Sequence, residues 1–525
     1  MKLDERRGRA TARTATRLCD DEDVLRCGAR IVIVAAFSLM LGGAALADGQ
    51  PPPSVTSAPL FASVSNTATG QPMAPGFVGL SLEYPALHVY TGRDPDAVDP
   101  VFLQLIRQLA PGQAPVLRIG GDTTDSTWWP MKGVIPPGGV TYGLDQGWLR
   151  TTRALASDLD ARLILGINLA ADRPALSAAE ARALLQGVGT KYIAALELGN
   201  EPDLYGVFPW YRDRNGHVFY ARAHSRYDLS GLIKDYSQWT AALPKVPLAG
   251  PAFSAPGWMS GLGRFLTAEP KVRVVTYHRY PLRACVTNPT APGYATIDSL
   301  LSDSSSSGLA QGLAPFVAVA HARGLQLRLD ELNSASCKGR PGVSDTFASA
   351  LWVVDTLFNL ASVGVDGVNI HELPGSAYEL ASLTQFPNGA WQAFVHPEYY
   401  GLMMFAQAFP PGARLLSVSA PSGPVKVWAT QAADGTVRVV LINKDPTAEH
   451  SVLLQLPGGE AAASLEWLQA PSVTSTSGVT LGGQTFGPET ITGALPGPEN
   501  MNAVTSPLGS YPIDLPPGSA VMLTT

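Results

Sequence analysis

Short apolar runs recur along the middle of the chain, and each is followed by a segment long enough to form a helix. The runs are rich in Val, Leu and Ile, which is typical of strands buried on both faces of a parallel sheet. Eight such strand-then-helix units in succession predict a closed (β/α)8 barrel. An open doubly wound sheet is the alternative, but no glycine-rich phosphate turn follows the first run. The runs cover residues 77–83, 115–120, 162–168, 194–201, 246–253, 272–280, 326–333 and 365–372.

From about residue 411 the pattern changes to short alternating strands separated by Gly, Pro, Thr and Ser. This pattern predicts an all-β domain at 411–525, most simply a sandwich. The barrel is expected to span 76–410. Before it, the Pro- and Ser-rich stretch 51–59 is interpreted as a linker or as the lead-in to a first strand. The predicted fold class is therefore an α/β TIM barrel followed by an all-β domain.

Residues 1–47 resemble a signal peptide. The apolar run at 31–47 ends in Ala-Leu-Ala directly before Asp48, as a signal-peptidase site does. We expect cleavage here and a mature protein that is secreted or periplasmic, with no stable membrane span. A signal anchor is the alternative, because the run approaches the minimum length of a membrane-spanning helix.

Composition and charge narrow the class of protein further. The 525 residues are 46% hydrophobic and 15% charged, so the chain can bury a large core. The net charge of −6 is spread without any basic run that could neutralise phosphates, so nucleic acid is not expected as a partner. Cys19 and Cys27 lie in the predicted signal peptide, which leaves Cys285 and Cys337 in the mature chain. An oxidising compartment allows these two to pair, and two free thiols are the alternative.

Most of the predicted barrel strands end in charged or hydrogen-bonding residues. The active sites of such barrels form at the C-terminal ends of the strands. Hydrolysis of a glycosidic bond needs two carboxyl groups facing each other across the anomeric carbon, one protonated and one ionised. Glu201 and Glu331 end the fourth and seventh runs, on nearly opposite walls, so their side chains can converge over the barrel mouth. The sequence therefore predicts this pair as the catalytic carboxyls of a glycosidase.

Neighbouring residues fit the same chemistry. The Asn200 amide can bind the sugar 2-hydroxyl, and His278 and Tyr280 end the strand next to Glu331. No metal is expected, because the histidines lack paired spacing and side-chain alternation places Asp330 on the opposite face of its strand from Glu331. No cofactor is required, and no Gly-x-Ser-x-Gly elbow supports serine hydrolase chemistry.

Five separated motifs resemble glycoside hydrolase family 79, the family of β-glucuronidases and heparanase. The resemblance covers 76–406 by motif and the C-terminal domain by architecture. It implies a clan A barrel, a retaining mechanism, a β-sandwich whose first strand lies within 48–75, and specificity for β-linked glucuronic acid. The motifs are LRIGGDTTDSTWW at 117–129, LELGNEPDLY at 196–205, VTYHRYPL at 275–282, LDELNSASCKG at 329–339 and GVSDTFASALWVVDTL at 342–357.

The resemblance also implies roles for individual residues. Glu201 matches the acid/base of the family and Glu331 the nucleophile. It also places Cys285 and Cys337 in the adjacent loops after strands six and seven, where a disulfide could join them. The expected substrate-binding residues are Glu83, Asp122, Asn200, His278, Tyr280 and Tyr378.

The weakest part of the match is recognition of the uronate carboxylate. Tyr378 could supply a hydroxyl from the turn after strand eight, although Ser376 departs from the glycine-rich turn of the family. Lys338 or Arg340 could supply positive charge instead. We therefore expect an exo-acting β-glucuronidase. The alternatives are a retaining glycosidase for a neutral sugar and a non-hydrolytic glycan-binding protein on a barrel scaffold.

Overall fold

The computed structural model describes residues 58–458, 462–506 and 508–525, so the predicted signal peptide lies outside the described residues. Within them, eight parallel strands close into a barrel in chain order, which confirms the predicted (β/α)8 fold. Each predicted run coincides with one barrel strand, and only the fourth strand begins outside its run, one residue earlier at Ile193. The barrel strands are Val78–Glu83, Val116–Gly120, Arg162–Ile167, Ile193–Leu198, Leu248–Phe253, Val272–Arg279, Gln326–Leu332 and Gly367–Glu372.

The barrel strands are almost completely buried, because side chains fill the interior and helices cover the outside. The helix Pro100–Leu109 shows the usual start signals, since Asp99 caps it and proline occupies its first turn. The α-helices are Leu87–Thr91, Pro100–Leu109, Gln146–Asp158, Pro174–Leu184, Leu229–Ala242, Pro256–Met259, Leu262–Ala268, Ile297–Leu301, Ser307–Gln311, Ala314–His321, Phe347–Ser362 and Pro397–Ala408.

Shorter elements lie in the connections between the longer strands and helices. Single turns of 3-10 helix follow the second and fourth strands, and a π-helical turn ends the helix after the third strand. The short helical turns are Asp122–Ser126, Leu185–Gly189, Pro202–Leu204 and Asp303–Ser305. The short strands pair two by two as Thr127–Trp128 with Tyr142–Gly143, Tyr211–Arg212 with Val218–Phe219, Leu282–Arg283 with Ala335–Ser336, and Ala381–Gln385 with Trp391–Val395.

The all-β domain is one hydrogen-bonded sheet that curls around its own core, which includes Val439, Leu454 and Leu523. Its first strand comes from before the barrel and pairs with Arg414–Ser419 and His450–Gln455. Among the described residues its strands are Leu60–Thr69, Arg414–Ser419, Val425–Gln431, Val437–Asn443, His450–Gln455, Ala462–Gln469, Thr480–Leu481, Asn502–Thr505, Ser510–Leu515 and Ser519–Thr524.

A buried ion pair joins this sheet to the barrel. Lys444 Nζ lies 2.6 Å from Asp355 Oδ2, and Trp428 donates to Oδ1 of the same carboxylate at 3.0 Å. Because Asp355 sits in the helix Phe347–Ser362, this contact fixes the sheet against the outside of the barrel, away from its mouth. In the part of the chain that the structure describes, no helix combines the length and apolarity needed to cross a bilayer.

Candidate active site

Arg118 occupies the centre of the barrel mouth and is completely buried. Its Nη1 atom lies 2.7 Å from Glu331 Oε2 and 3.1 Å from Ser81 Oγ. Nη2 donates to Asn200 Oδ1 at 2.8 Å, and Nε donates to Glu197 Oε2 at 2.9 Å. A single guanidinium thus connects the first, second, fourth and seventh strands and sets the positions of the side chains around it.

Glu331, the predicted nucleophile, is held as an anion. Its Oε1 accepts from the Tyr280 hydroxyl at 2.7 Å and its Oε2 accepts from Arg118. Burial alone would raise the pKa of Glu331. The charges of His371, His278 and Arg118 together with the Tyr280 hydrogen bond outweigh it and hold the pKa well below its usual range. A carboxylate with these partners is ionised at neutral pH, and both of its oxygens are held in place.

Glu201, the predicted acid/base, is more exposed than Glu331 and has a different environment. Its backbone takes a left-handed conformation with φ 47°, which non-glycine residues seldom adopt and which is common at functional sites. The Glu201 amide donates to the Ala252 carbonyl at 3.0 Å, and this bond fixes the turn. Its Oε1 lies 3.0 Å from His278 Nδ1. One carboxylate oxygen of Glu201 and one of Glu331 lie within 4.8 Å of each other.

His278 lies between these two carboxyl groups. Its Nδ1 atom is 3.0 Å from Glu201 Oε1 and 3.6 Å from Glu331 Oε2. Burial lowers the pKa of His278, but the negative charge of Glu331 foremost, together with the other acidic groups around the ring, overcomes this effect and raises the pKa to about 9. The imidazole is therefore protonated at neutral pH and places a positive charge beside both predicted catalytic groups.

The remaining predicted side chains lie around the same opening. Asn200 Nδ2 donates to Asp122 Oδ1 at 3.2 Å, and Asp122 is exposed at the mouth. The Glu83 carboxylate accepts from the backbone amides of Asp122 and Thr123 at 3.0 and 2.9 Å, so it also holds the loop after the second strand. The ring of Tyr378 lies 6.3 Å from the ring of Tyr280. The structure thus brings all eight predicted catalytic and substrate-binding residues to one site.

The two cysteines that remain after the predicted cleavage are joined. Cys285 and Cys337 form a disulfide with a Cα–Cα distance of 5.7 Å, as expected. Their loops also pair through the short strands Leu282–Arg283 and Ala335–Ser336. The covalent link and this small sheet together rigidify the rim of the site next to Tyr280 and Glu331.

The side chain of Asp330 does not lie where strand alternation predicts. The seventh strand pairs irregularly with both of its neighbours. Its register shifts between Leu329 and Leu332 where it pairs with the eighth strand, and between Arg328 and Glu331 where it pairs with the sixth. This β-bulge turns consecutive side chains to the same side of the strand. Asp330 therefore points inward with Glu331, 3.5 Å from Arg118 Nε and 3.5 Å from His278 Nε2. The expected outward orientation of Asp330 is wrong for this reason.

Three further titratable residues of the site were not selected from the sequence, namely Arg118, Glu197 and His371. Arg118 and Glu197 each stand inside an apolar strand, where a charge needs a buried partner. That placement was the signal that could have identified both. His371 lies 3.8 Å from Glu331 Oε2 and precedes the last residue of the eighth strand.

Two groups of side chains could offer ligands to a cation, although no metal was expected. Glu197, His278 and Asp330 form one group, and Glu201, His278 and Glu331 form the other, each with ligand atoms within 4.8 Å. Arg118 reaches a carboxylate of both groups and already supplies positive charge there. The donor set contains two carboxylates and a histidine that is held protonated, which does not suit a metal ligand.

Fold and site together define the chain as a glycoside hydrolase with a clan A type of barrel. Residues 427–522 match the glycosyl hydrolase family 79 C-terminal beta domain. A β-glucuronidase of Neurospora crassa is 24% identical over 77% of this chain and 76% of its own length. A β-glucuronidase of Aspergillus niger is 23% identical over 94% of this chain and 99% of its own. These matches confirm the resemblance to glycoside hydrolase family 79.

Solved structures support the same fold. The crystal structure of a 4-O-α-L-rhamnosyl-β-D-glucuronidase from Fusarium oxysporum superposes with a TM-score of 0.69 at 20% identity, covering 88% of this chain and 100% of that one. A family 51 arabinofuranosidase from Xanthomonas axonopodis gives a TM-score of 0.62 at 15% identity over 89% and 99% of the two chains. At these identities the likeness establishes the architecture of barrel and sheet, and leaves substrate choice to the site.

Proposed function

We propose that this chain is a retaining exo-β-glucuronidase that removes β-linked glucuronic acid from glycans or glycosides. The observation that carries the proposal is the carboxyl pair, with oxygens of Glu201 and Glu331 within 4.8 Å of each other. Retaining glycosidases place their carboxyl groups about 5 to 5.5 Å apart, whereas inverting enzymes leave roughly 6.5 to 9.5 Å for a water molecule. The spacing supports double displacement.

In the first step Glu331 attacks the anomeric carbon while Glu201 protonates the departing glycosidic oxygen. The bond from the sugar to Glu331 forms as the bond to the leaving group breaks. Arg118 and Tyr280 hold the two oxygens of Glu331, so the nucleophile needs no reorientation before attack. We assign the binding of the sugar 2-hydroxyl to the Asn200 amide, which Arg118 fixes in place. Hydrogen bonds to this hydroxyl tighten as the oxocarbenium-like transition state forms.

In the second step the now ionised Glu201 takes a proton from water, and the resulting nucleophile breaks the bond between the sugar and Glu331. The configuration at the anomeric carbon is inverted twice and so retained. Glu201 fits the exchange of acid and base roles because it is the more exposed of the two, with 19% of its side chain accessible against 11% for Glu331.

Glucuronide as the substrate class is supported by the relatives and by the turn after the eighth strand. Both curated relatives are β-glucuronidases. In the turn, Tyr378 lies beside His371, and the buried Ser376 hydroxyl has no hydrogen-bond partner among the described residues. These hydroxyl groups can donate to a sugar carboxylate. Arg340 is engaged elsewhere, because it donates to the Tyr294 hydroxyl at 2.6 Å and lies over that ring.

The direct test is the initial rate of the mature protein on nitrophenyl β-D-glucuronide and on the matching glucoside, galactoside and xyloside. The proposal predicts a strong preference for the glucuronide and its loss in Glu331→Gln. Activity on a neutral sugar alone would keep the two carboxyls in their roles and overturn the substrate class. No turnover of any of the four by a folded protein would favour a glycan-binding role instead.

Export to the periplasm or the exterior is part of the same proposal. The disulfide between Cys285 and Cys337 supports it, because such bonds persist in oxidising compartments. N-terminal sequencing of the exported protein tests the point. The expected mature terminus is Asp48, and a cell-retained, membrane-bound protein that keeps residues 31–47 would contradict it.

A further inference from the structure

A second pair of carboxyl groups lies beneath the predicted catalytic pair and has no role in the steps above. Glu197 and Asp330 are both completely inaccessible, and His278 beside them is 1% exposed. Several of their polar atoms have no hydrogen-bond partner among the described residues. These atoms are Glu197 Oε1, Asp330 Oδ1, Asp330 Oδ2 and His278 Nε2. Ligand atoms of the three residues lie within 4.8 Å of one another.

Two ionised carboxylates in such a space would be strongly unfavourable. Like charges at short range cannot both persist where water is excluded, and each unpaired acceptor adds its own desolvation penalty. One added proton removes the repulsion between the two charges. It also gives an unpaired acceptor a partner, because a carboxylic acid donates a hydrogen bond to the neighbouring carboxylate. Glu197 is the partner that stays ionised, since Arg118 Nε donates to it at 2.9 Å and stands 3.5 Å from Asp330.

We propose, on the basis of the proposed function, that Asp330 is a neutral carboxylic acid that donates a hydrogen bond to Glu197 and acts as a positioning residue for His278. The β-bulge at Asp330 and Glu331 makes this possible by turning both side chains inward. Asp330 Oδ1 then remains as an acceptor 3.5 Å from His278 Nε2. Asp330 touches no reacting atom and works through the imidazole.

The consequence for the reaction lies at Glu201. His278 keeps a hydrogen on Nε2, the ring nitrogen that lies 3.5 Å from Asp330 Oδ1, and a second on Nδ1, which donates to Glu201 Oε1 at 3.0 Å. Because Oε1 of Glu201 accepts from the imidazole, the transferable proton of Glu201 lies on Oε2. An ionised Asp330 would instead draw the charge of His278 away from the mouth.

The charges that face this pair come from several strands. Arg118 approaches from the second strand, Glu197 from the fourth, His278 from the sixth, and Arg328 from the same strand as Asp330. Two effects raise the pKa of Asp330 well above its usual range. Burial is the larger, and the negative charge of Glu197 is the second. A divalent cation on the same atoms is the competing explanation, and it would have to sit beside two groups that already carry positive charge.

The primary test is infrared spectroscopy of the whole mature protein at neutral pH. The difference spectrum between wild type and Asp330→Asn should show the loss of one carboxylic acid C=O band that shifts in D2O. The Glu197→Gln variant should lose the same band. The amide introduced by this substitution donates a hydrogen bond to Asp330, so the Asp330 carboxyl group can ionise. Loss of a carboxylate band in Asp330→Asn, or persistence of the acid band in Glu197→Gln, would overturn the proposal. Glu180→Gln, a buried acid outside the site, should remove a different band.

Kinetics test the positioning role. Asp330→Asn should keep kcat within about threefold of wild type and leave the pH profile unchanged, because an amide has the shape and the donor of a neutral acid. Asp330→Ala should lower kcat by about 10²-fold with little change in KM, because the imidazole loses its support. An equal loss in both variants would contradict the inference, as would a stoichiometric metal whose removal abolishes activity. The infrared result does not depend on turnover, so it separates this inference from a failure of the proposed function.

Discussion

Arg118 and Glu331 form an ion pair of 2.7 Å between the second and seventh barrel strands, and the guanidinium has no exposed surface. A buried pair of this kind is costly to assemble and very costly to break, because removing one partner leaves the other as an uncompensated charge. Here the pair aligns a carboxylate for attack at the anomeric carbon. Stability and catalysis therefore depend on the same contact.

Arg118→Met should damage both properties together. Breaking a buried pair costs about 3 to 5 kcal/mol, and the loss of the guanidinium also frees Asn200 and Glu197. Urea unfolding should report that loss of free energy, and kcat should fall along with it. Arg222→Met offers a matched control, since Arg222 pairs with Asp235 at 2.7 Å away from the catalytic carboxyls. A variant of Arg118 with normal kcat would contradict the role given to this residue.

Tyr280→Phe should reduce turnover without unfolding the protein. The hydroxyl donates to the charged Glu331 at 2.7 Å, and hydrogen bonds to charged groups contribute about 1.5 to 3 kcal/mol. We expect kcat/KM to fall by roughly 10- to 100-fold, with the acidic limb of the pH profile moving to higher pH as Glu331 loses stabilisation. Tyr236→Phe removes a fully buried hydroxyl that donates to the Leu198 carbonyl, and it should leave the pH profile unchanged.

Loss of the disulfide should loosen the rim of the site. Cys285 and Cys337 are 52 residues apart, and closing a loop of that length in the unfolded chain accounts for up to about 4 kcal/mol. The double serine variant should melt at lower temperature and show a higher KM, because the loops after the sixth and seventh strands lose their link. Scanning calorimetry with and without reductant measures the first effect. Identical melting of wild type and variant would rule it out.

The charge of His278 makes stability depend on pH. Its pKa is raised to about 9 in the fold, so its contribution is fully present below its ordinary pKa of about 6.5 and is lost as pH rises through 9. Relative to His278→Gln, wild type should lose on the order of 3 kcal/mol of unfolding free energy over that interval. Burial also raises the pKa of Glu466 to about 7. This carboxyl group is present in both wild type and His278→Gln, so its effect on stability cancels when the two proteins are compared. An unfolding free energy of wild type that increases relative to His278→Gln as pH rises would contradict this prediction.

The architecture of the barrel could be predicted because it follows from local patterns. Strands buried on both faces are continuous apolar runs, and the polar residues that interrupt their ends mark the mouth of the barrel. Glu201 and Glu331 stood at such ends, which is why the pair could be selected before their spacing was known. The disulfide was expected from the family resemblance, which places Cys285 and Cys337 in adjacent loops, and the structure contains it.

The inner charges of the site could not be predicted in the same way. Arg118 and Glu197 are buried charges whose partners lie on other strands, so neither is explained by the run of residues that contains it. The orientation of Asp330 depends on a β-bulge, and strict alternation along the strand gives the opposite face. Pairing across strands and irregular register are tertiary properties that a single run of residues does not contain.

The most direct test of the central claim is the configuration of the first product. Proton NMR of wild-type turnover of nitrophenyl β-D-glucuronide should show β-glucuronic acid appearing first, with the α-anomer growing later by mutarotation. Glu331→Gln should release neither. Initial release of the α-anomer would mean a single displacement and would contradict the assignment of Glu331 as nucleophile and of the chain as a retaining β-glucuronidase.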